Sequence, residues 1–198
     1  LGALEAILRL AGDAAFAMRY GPVGRTINLG DVVERGYHPC EVIDQMMGIE
    51  RLVSVRGNHD EAFLWSAAVS GSDDRSHAAH EVCRRRGGWP EFFGPMPEFR
   101  VDGEERLYFV HGGPLDPGSC PGQEEPLAAW LNSRTWQRIS GAGVRYFDLS
   151  GYHYLPEDAF AAVRGALGPG FAIVCGHEHA EAAFRERGGR IDDLLPGL

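Results

Sequence analysis

The chain contains no lysine: all 19 basic positions among its 198 residues are arginine. That absence excludes chemistry that needs an ε-amine, from the lysine of a Walker A loop to Schiff-base catalysis. Its four cysteines, Cys40, Cys83, Cys120 and Cys175, are scattered and form no C-x-x-C pair. Neither a zinc knuckle nor a redox dithiol is signalled, and reduced thiols in a cytoplasmic protein are the reading that fits. No apolar run is long enough to span a membrane. Positive charge is also scarce, with 28 acidic against 19 basic residues and a formal net charge of -9. General affinity for nucleic acid or anionic membrane is thereby disfavoured, which leaves room only for a local basic site. Internal repeats and low-complexity linkers are lacking too.

What remains is ordinary globular material, 44% hydrophobic and 24% charged. The length suggests a single domain over residues 1–198 with a real core. Residues 1–11 place Leu1, Leu4, Ile7, Leu8 and Ala11 on one helical face, and Gly12 stops the run. "RTINLGD" reads as a short strand. "HPCEVIDQMMGI" reads as a helix with Pro39 at its start and Val42, Ile43, Met46 and Met47 inward. "LVSVRGN" is a second strand, followed by helical stretches near 61–69 and 76–86. "RLYFVHGG" is a third strand. "PEDAFAAVRGALG" is a helix with Phe160, Val163 and Leu167 inward. "FAIVCGHEH" is a last strand, apolar throughout, as expected when both sheet faces are covered. The Gly- and Pro-rich residues 112–126 read as a long loop. Alternating strands and helices predict an α/β fold.

Four of these strands end in polar clusters: Gly30-Asp31, Gly57-Asn58-His59-Asp60, His111-Gly112-Gly113 and Gly176-His177-Glu178-His179. Any one alone has a dull explanation as a turn or a satisfied surface group. Together they point to one site, because ligands in open α/β sheets sit outside the carboxyl ends of the strands. Imidazoles, an Asp carboxylate and an Asn carbonyl, without thiolate, form a mixed N/O donor set. Such a set suits Mn, Fe, Zn or Ni at a catalytic centre rather than a structural zinc site.

"GDVVERG", "GNHD", "HGG" and "GHEH", in that order from residue 30 to residue 179, resemble the signature of the calcineurin-like metallophosphoesterase superfamily. "LGALEAIL", "RGYHPCEVI" and "PMPEFRVDGEERLYFVHGGP" resemble its small bacterial branch. The resemblance implies a four-layer αββα sandwich of two mixed sheets flanked by helices. It implies two divalent metal ions, with Mn as first expectation and Fe, Zn or Ni as alternatives. Asp31 would bridge both ions, Asn58, His111 and His177 would bind one, and His179 would help bind the other. His59 would be no ligand but the general acid, oriented by Asp60, while metal-activated water attacks the ester. The implied substrates are phosphomonoesters or phosphodiesters: a phosphorylated small molecule, a nucleotide or a phosphoprotein. A non-catalytic scaffold on the same fold is the alternative, and the retention of His59 between a ligand and its orienter favours the enzyme.

"GDVVERG" with "RGNHD" resembles the Ser/Thr phosphoprotein phosphatases, in which an Arg at the place of Arg35 grips phosphate; a guanidinium matches phosphate geometry bidentately. Glu34 stands where that branch has Asp, and Asp60 where it has Glu. The bland alternative is a surface Arg35 paired with Glu34. His77 and His80, three apart, read as solvated helix surface rather than a chelate, and Arg84, Arg85 and Arg86 as a solvated face. His153 among aromatics is a weaker site candidate. One family motif is missing: no D-x-H precedes Asp31. The expectation is that the native protein carries a strand and a D-x-H loop ahead of Leu1, and that His179 faces a poorly filled metal position while Asn58, His111 and His177 converge.

Overall fold

The computed structural model describes residues 1–67, 71–121, 125–179 and 181–195. It is a mixed α/β structure that divides into two compact units, Leu1–Ser54 with His59–Met96, and Val55–Asn58 with Pro97–Leu198.

The first unit opens with α1 (Gly2–Ala11) and α2 (Ala14–Tyr20), separated by Gly12 and by Asp13, whose carboxylate caps α2 by accepting from the Phe16 amide. A parallel pair follows, β1 (Thr26–Asn28) and β2 (Leu52–Ser54), in register Ile27 to Val53, and α3 (Pro39–Met47) makes the connection a parallel pair requires. Pro39 starts α3, as the sequence predicts, and the helix ends at Met47 with Gly48 as its cap, two residues short of the stretch read as helical. Ile43 and Met46 are buried and Val42 half-buried, but Met47 is 53% exposed, so the inward face is one residue narrower than expected. On α1 the helix forms as predicted, yet Ile7 is 63% exposed. Next come α4 (Asn58–Trp65), α5 (Asp74–Arg86) and α6 (Trp89–Phe93). Asp73 and Ser76 close a reciprocal capping box at the start of α5. The predicted stretch 61–69 is helical to Trp65, and its end falls outside the described residues. Phe63 centres the core of this unit: Trp89 and Phe93 each lie 5.6 Å from its ring, among Val33, Ile43, Met46, Cys83 and Phe92.

In the second unit, β3 (Phe99–Asp102) pairs antiparallel with β4 (Leu107–Val110). Residues 117–119 form a 3-10 turn and α7 (Pro126–Leu131) follows, so the predicted loop over 112–126 carries local order; residues 122–124 lie outside the description. A second small sheet orders β5 (Arg138–Ile139), β7 (Gly151–Tyr154) and β6 (Tyr146–Asp148), with β7 central. Then come α8 (Pro156–Leu167), β8 (Ala172–Cys175) and the hairpin of β9 (Phe184–Arg187) and β10 (Arg190–Asp193). Gly188 and Gly189 turn that hairpin with φ of 54° and 77°, values that glycine takes without strain. β8 runs parallel to β4, in register Val110 to Cys175. It is the outer strand of that sheet, and Val174 is 36% exposed. The expected coverage of both faces of β8 is therefore corrected: an all-apolar edge strand has one face in solvent. On α8, Val163 is buried, Phe160 half-buried and Leu167 38% exposed. Among the described residues no helix is long and apolar enough to cross a membrane.

Candidate functional site

The four polar clusters do follow four strand ends, and those strands pair two by two. β1 and β2 lie side by side and parallel in the first unit, as do β4 and β8 in the second. Parallel neighbours deliver their carboxyl ends to the same edge, which is why each pair of clusters meets.

In the first unit the loop after β1 is bent back by its own side chains. Asn28 Oδ1 accepts from the Gly30 amide at 3.0 Å, a local turn that Asn favours. Gly30 and Asp31 both take left-handed backbone, φ 96° and 58°. For Asp31 that conformation costs about 1 kcal/mol, and Asp60 offsets it. The Asp60 carboxylate, fully buried in the first turn of α4, accepts from the Asp31 amide through Oδ2 and from the Val32 amide through Oδ1, each at 2.9 Å. Successive amides turned toward one carboxylate form a small anion cradle. In return Asp31 Oδ1 accepts from the His59 amide at 3.0 Å, and His59 Nε2 lies 3.8 Å from Asp31 Oδ2. Asp60, expected as an orienter of the His59 ring, thus has both oxygens engaged by the Asp31 loop.

Further along that loop, Glu34 is 2% exposed with φ 96°. Its carboxylate lies 3.6 Å from Arg84, not on a solvated face. Arg84 also donates to the Phe63 carbonyl from Nε and Nη2, and Arg86 makes a two-pronged pair with Asp44 at 2.6 and 2.7 Å. Arg84 is therefore tied into the fold, whereas Arg85 and Arg86 are exposed, as a solvated face requires. His80 is the larger correction: it is 1% exposed, accepts from the Glu34 amide at 2.7 Å, and pairs through Nδ1 with the Ser76 carbonyl. The signal for it was present, since Ser76, His80 and Cys83 share one helical face. His77 is exposed, as expected, and so is Arg35.

In the second unit, the stretch Val55–Asn58 is tied down by the Arg56 amide donating to the Pro97 carbonyl at 2.9 Å. Asn58, His111 and His177 converge, each no more than 8% exposed. His111 Nε2 stands 3.0 Å from Asn58 Oδ1 and 3.1 Å from His177 Nδ1, with the two imidazole rings 4.8 Å apart. One proton on that nitrogen satisfies one of these contacts and not both, whereas a divalent cation accepts lone pairs from all three atoms. The donor set therefore fits a bound metal. His177 sits in left-handed backbone, φ 56°, with Trp136 edge-on to its ring at 6.2 Å.

The loop after His111 is shaped by exclusion. A Cβ on Gly112 would fall on the Gln137 carbonyl, and one on Gly113 on the Tyr154 ring, so only glycine fits either place. Gln137 binds the Leu115 amide and carbonyl at 3.0 and 3.1 Å, and the Tyr154 hydroxyl donates to the Gly112 carbonyl at 3.1 Å. Neither was anticipated from sequence, although the Gly-Gly pair announces a close approach. Arg138 lies 3.8 Å from Glu178 of the last cluster, and His179 is exposed. His153 is buried, stacked on Tyr146 at 3.9 Å and paired through Nε2 with Ser150 and Asp148.

No curated protein matches the chain significantly. Among solved structures, a metallophosphoesterase from Sphaerobacter thermophilus is similar, at 24% identity and a TM-score of 0.37. The match covers 53% of this chain and 42% of that one, so the chain spans less than half of that relative. The model of the calcineurin-like phosphoesterase family matches residues 6–181, nearly the whole length. This chain, with its GD, GNHD, HGG and GHEH clusters, belongs to that family.

Proposed function

We propose that the protein is a metal-dependent phosphoesterase, and that Asp31, Asn58, His111, His177 and His179 hold two divalent ions, Mn first, with Fe, Zn or Ni as alternatives. The observation that carries this reading is the buried convergence of Asn58, His111 and His177, a donor set that one proton cannot satisfy. Membership in the calcineurin-like family supports it independently. When bound, such ions supply an activated water and hold phosphoryl oxygens. The chain's own residues do the rest. Asp31 would help hold the ions through the carboxylate that its left-handed loop presents. His59 gives a proton to the leaving oxygen, and Asp60 serves it by fixing its helical turn to the Asp31 loop. Arg35 grips the phosphate through its two-pronged guanidinium, which favours a dianionic monoester over a diester. The complete arrangement would be the family's four-layer αββα sandwich. The scattered free thiols accord with a cytoplasmic location.

The test is hydrolysis of p-nitrophenyl phosphate and bis-p-nitrophenyl phosphate with Mn(II), Fe(II), Zn(II) or Ni(II), with a chelator as control. Metal-dependent turnover, faster on the monoester, is expected. No hydrolysis above buffer with any of the four ions would return the chain to the scaffold reading.

A further inference from the structure

The loop that carries Arg35 contains a conformation the sequence does not favour. Glu34 lies at φ 96°, a region that side-chain-bearing residues avoid, and it is held there from three sides. Its amide donates to His80 Nε2 at 2.7 Å. Its carbonyl accepts from Ser72 Oγ at 3.1 Å. Its carboxylate lies 3.6 Å from Arg84. Of the three, the His80 contact is the most rigidly mounted. Nδ1 of that ring meets the Ser76 carbonyl at 2.5 Å, and a carbonyl can only accept, so Nδ1 carries the proton. Nε2 is thereby left as a bare acceptor pointing at the Glu34 amide. The ring cannot swing away: it is 1% exposed and edge-on to Phe63 at 5.7 Å.

Arg35 is the next residue. Its guanidinium runs past Gly71, where a Cβ would fall 3.2 Å from Nε, so it lies against the same stretch whose Ser72 holds the Glu34 carbonyl. A backbone rotation at residue 34 would turn the Arg35 side chain away from that track. We propose that His80 is a positioning residue: its Nε2 locks Glu34 in left-handed backbone and so aims Arg35 at the phosphate. The inference rests on the phosphoesterase reading, since Arg35 needs a phosphate to grip.

The variant of choice is His80→Phe, which keeps a ring packed on Phe63 and removes the Nε2 acceptor together with the Nδ1–H that meets the Ser76 carbonyl. Loss of one buried hydrogen bond of this kind corresponds to roughly a tenfold change in an equilibrium. Amide hydrogen exchange over residues 32–36 is expected to rise about that much, with metal content unchanged. For p-nitrophenyl phosphate, KM is expected to rise and kcat to fall in the same proportion as in Arg35→Ala. His80→Gln, whose amide oxygen can accept, is expected to recover part of both. The decisive readout is the double variant His80→Phe/Arg35→Ala. If His80 acts through Arg35, the double variant behaves like Arg35→Ala alone; a merely structural role gives additive losses. Additive losses, unchanged exchange over 32–36, or an unchanged KM in His80→Phe would each overturn the inference while leaving the phosphoesterase reading intact. A wild-type protein that hydrolyses neither ester would overturn both. Should His80→Phe not fold, Ser72→Ala loosens residue 34 from its carbonyl side and is judged by the same double-variant comparison.

Discussion

The two units hold their polar clusters by hydrogen bonds, but only the second adds a fit that excludes every side chain. In the first unit the loop after β1 is clamped by hydrogen bonds: Asp60 on the amides of Asp31 and Val32, His80 and Ser72 on residue 34. Two non-glycine residues there, Asp31 and Glu34, sit in left-handed backbone, and the clamps sustain them. In the second unit the loop after β4 is hydrogen-bonded too, by Gln137, Tyr154 and the Arg134 carbonyl, but it adds a fit by shape: Gly112 and Gly113 lie where any Cβ would strike Gln137 or Tyr154. The lesson is that a site residue can be aimed either by supplying partners or by removing atoms. The first kind fails when a partner is deleted, the second when a methyl is added.

The largest expected effects strike the chemistry itself and calibrate the rest. His59→Ala should retain bound metal and lose turnover by about 10² to 10⁴-fold, the usual contribution of a general acid. His111→Ala should lose both, because His111 Nε2 is the atom on which Asn58 and His177 converge. Metal content by mass spectrometry beside kcat on p-nitrophenyl phosphate separates the two. If His59→Ala loses its metal, His59 is a ligand and the assignment of an acid fails.

Next in size are the two modes of support. Asp60→Ala orphans two loop amides at once, each at a cost of about 1–3 kcal/mol. We expect a lower melting temperature, weaker metal affinity and faster exchange at Asp31 and Val32. Gly113→Ala should also destabilise by about 1–3 kcal/mol through overpacking against Tyr154, with the first unit's exchange pattern unchanged. Equal effects of both variants on both units would erase the contrast drawn above.

These two regions were not equally legible in the sequence. The clusters that hold Asn58, His111 and His177 could be read from strand ends, because a parallel strand's carboxyl end is a place that topology fixes; the choice of these three within the clusters came from the family resemblance. Helix α3 was readable from Pro39, α5 as the helical stretch near 76–86, and α8 from the inward set Phe160, Val163 and Leu167. Harder to see was anything that depended on partners distant in sequence. His80 lies 46 residues from the amide it accepts from, and the face it shares with Ser76 and Cys83 marks its burial but not its partner. Asp60 was seen as the neighbour of His59, yet its partners are the amides of Asp31 and Val32, about 28 residues away. The short strands β5, β6 and β7 have too few residues to show a period, and the exposed face of β8 is invisible in a run that is apolar throughout.

The smallest expected effect appears at alkaline pH and should reach both units alike. Burial pushes the Cys120 and Cys175 thiols of the second unit from an ordinary 9.0 up to about 11. In the first unit, burial and a hydrogen bond to Cys40 push Cys83 up to about 12. The folded chain thus keeps thiol protons that the unfolded chain gives up near the ordinary value. Wherever the folded state binds more protons, stability falls as pH rises. The stabilising contribution is therefore complete below about pH 9 and is lost progressively toward 11 and 12. Urea midpoints at pH 8 and pH 10.5 should show this as a lower value at the higher pH. Cys120→Ala should flatten the dependence in the second unit, read from near-ultraviolet signals, and Cys83→Ala should do so in the first. A midpoint that holds steady across the window would mean that these thiols keep water at hand when folded. In that case the burial that shields the second unit's core at Tyr154 and Cys175 would be looser than its geometry implies.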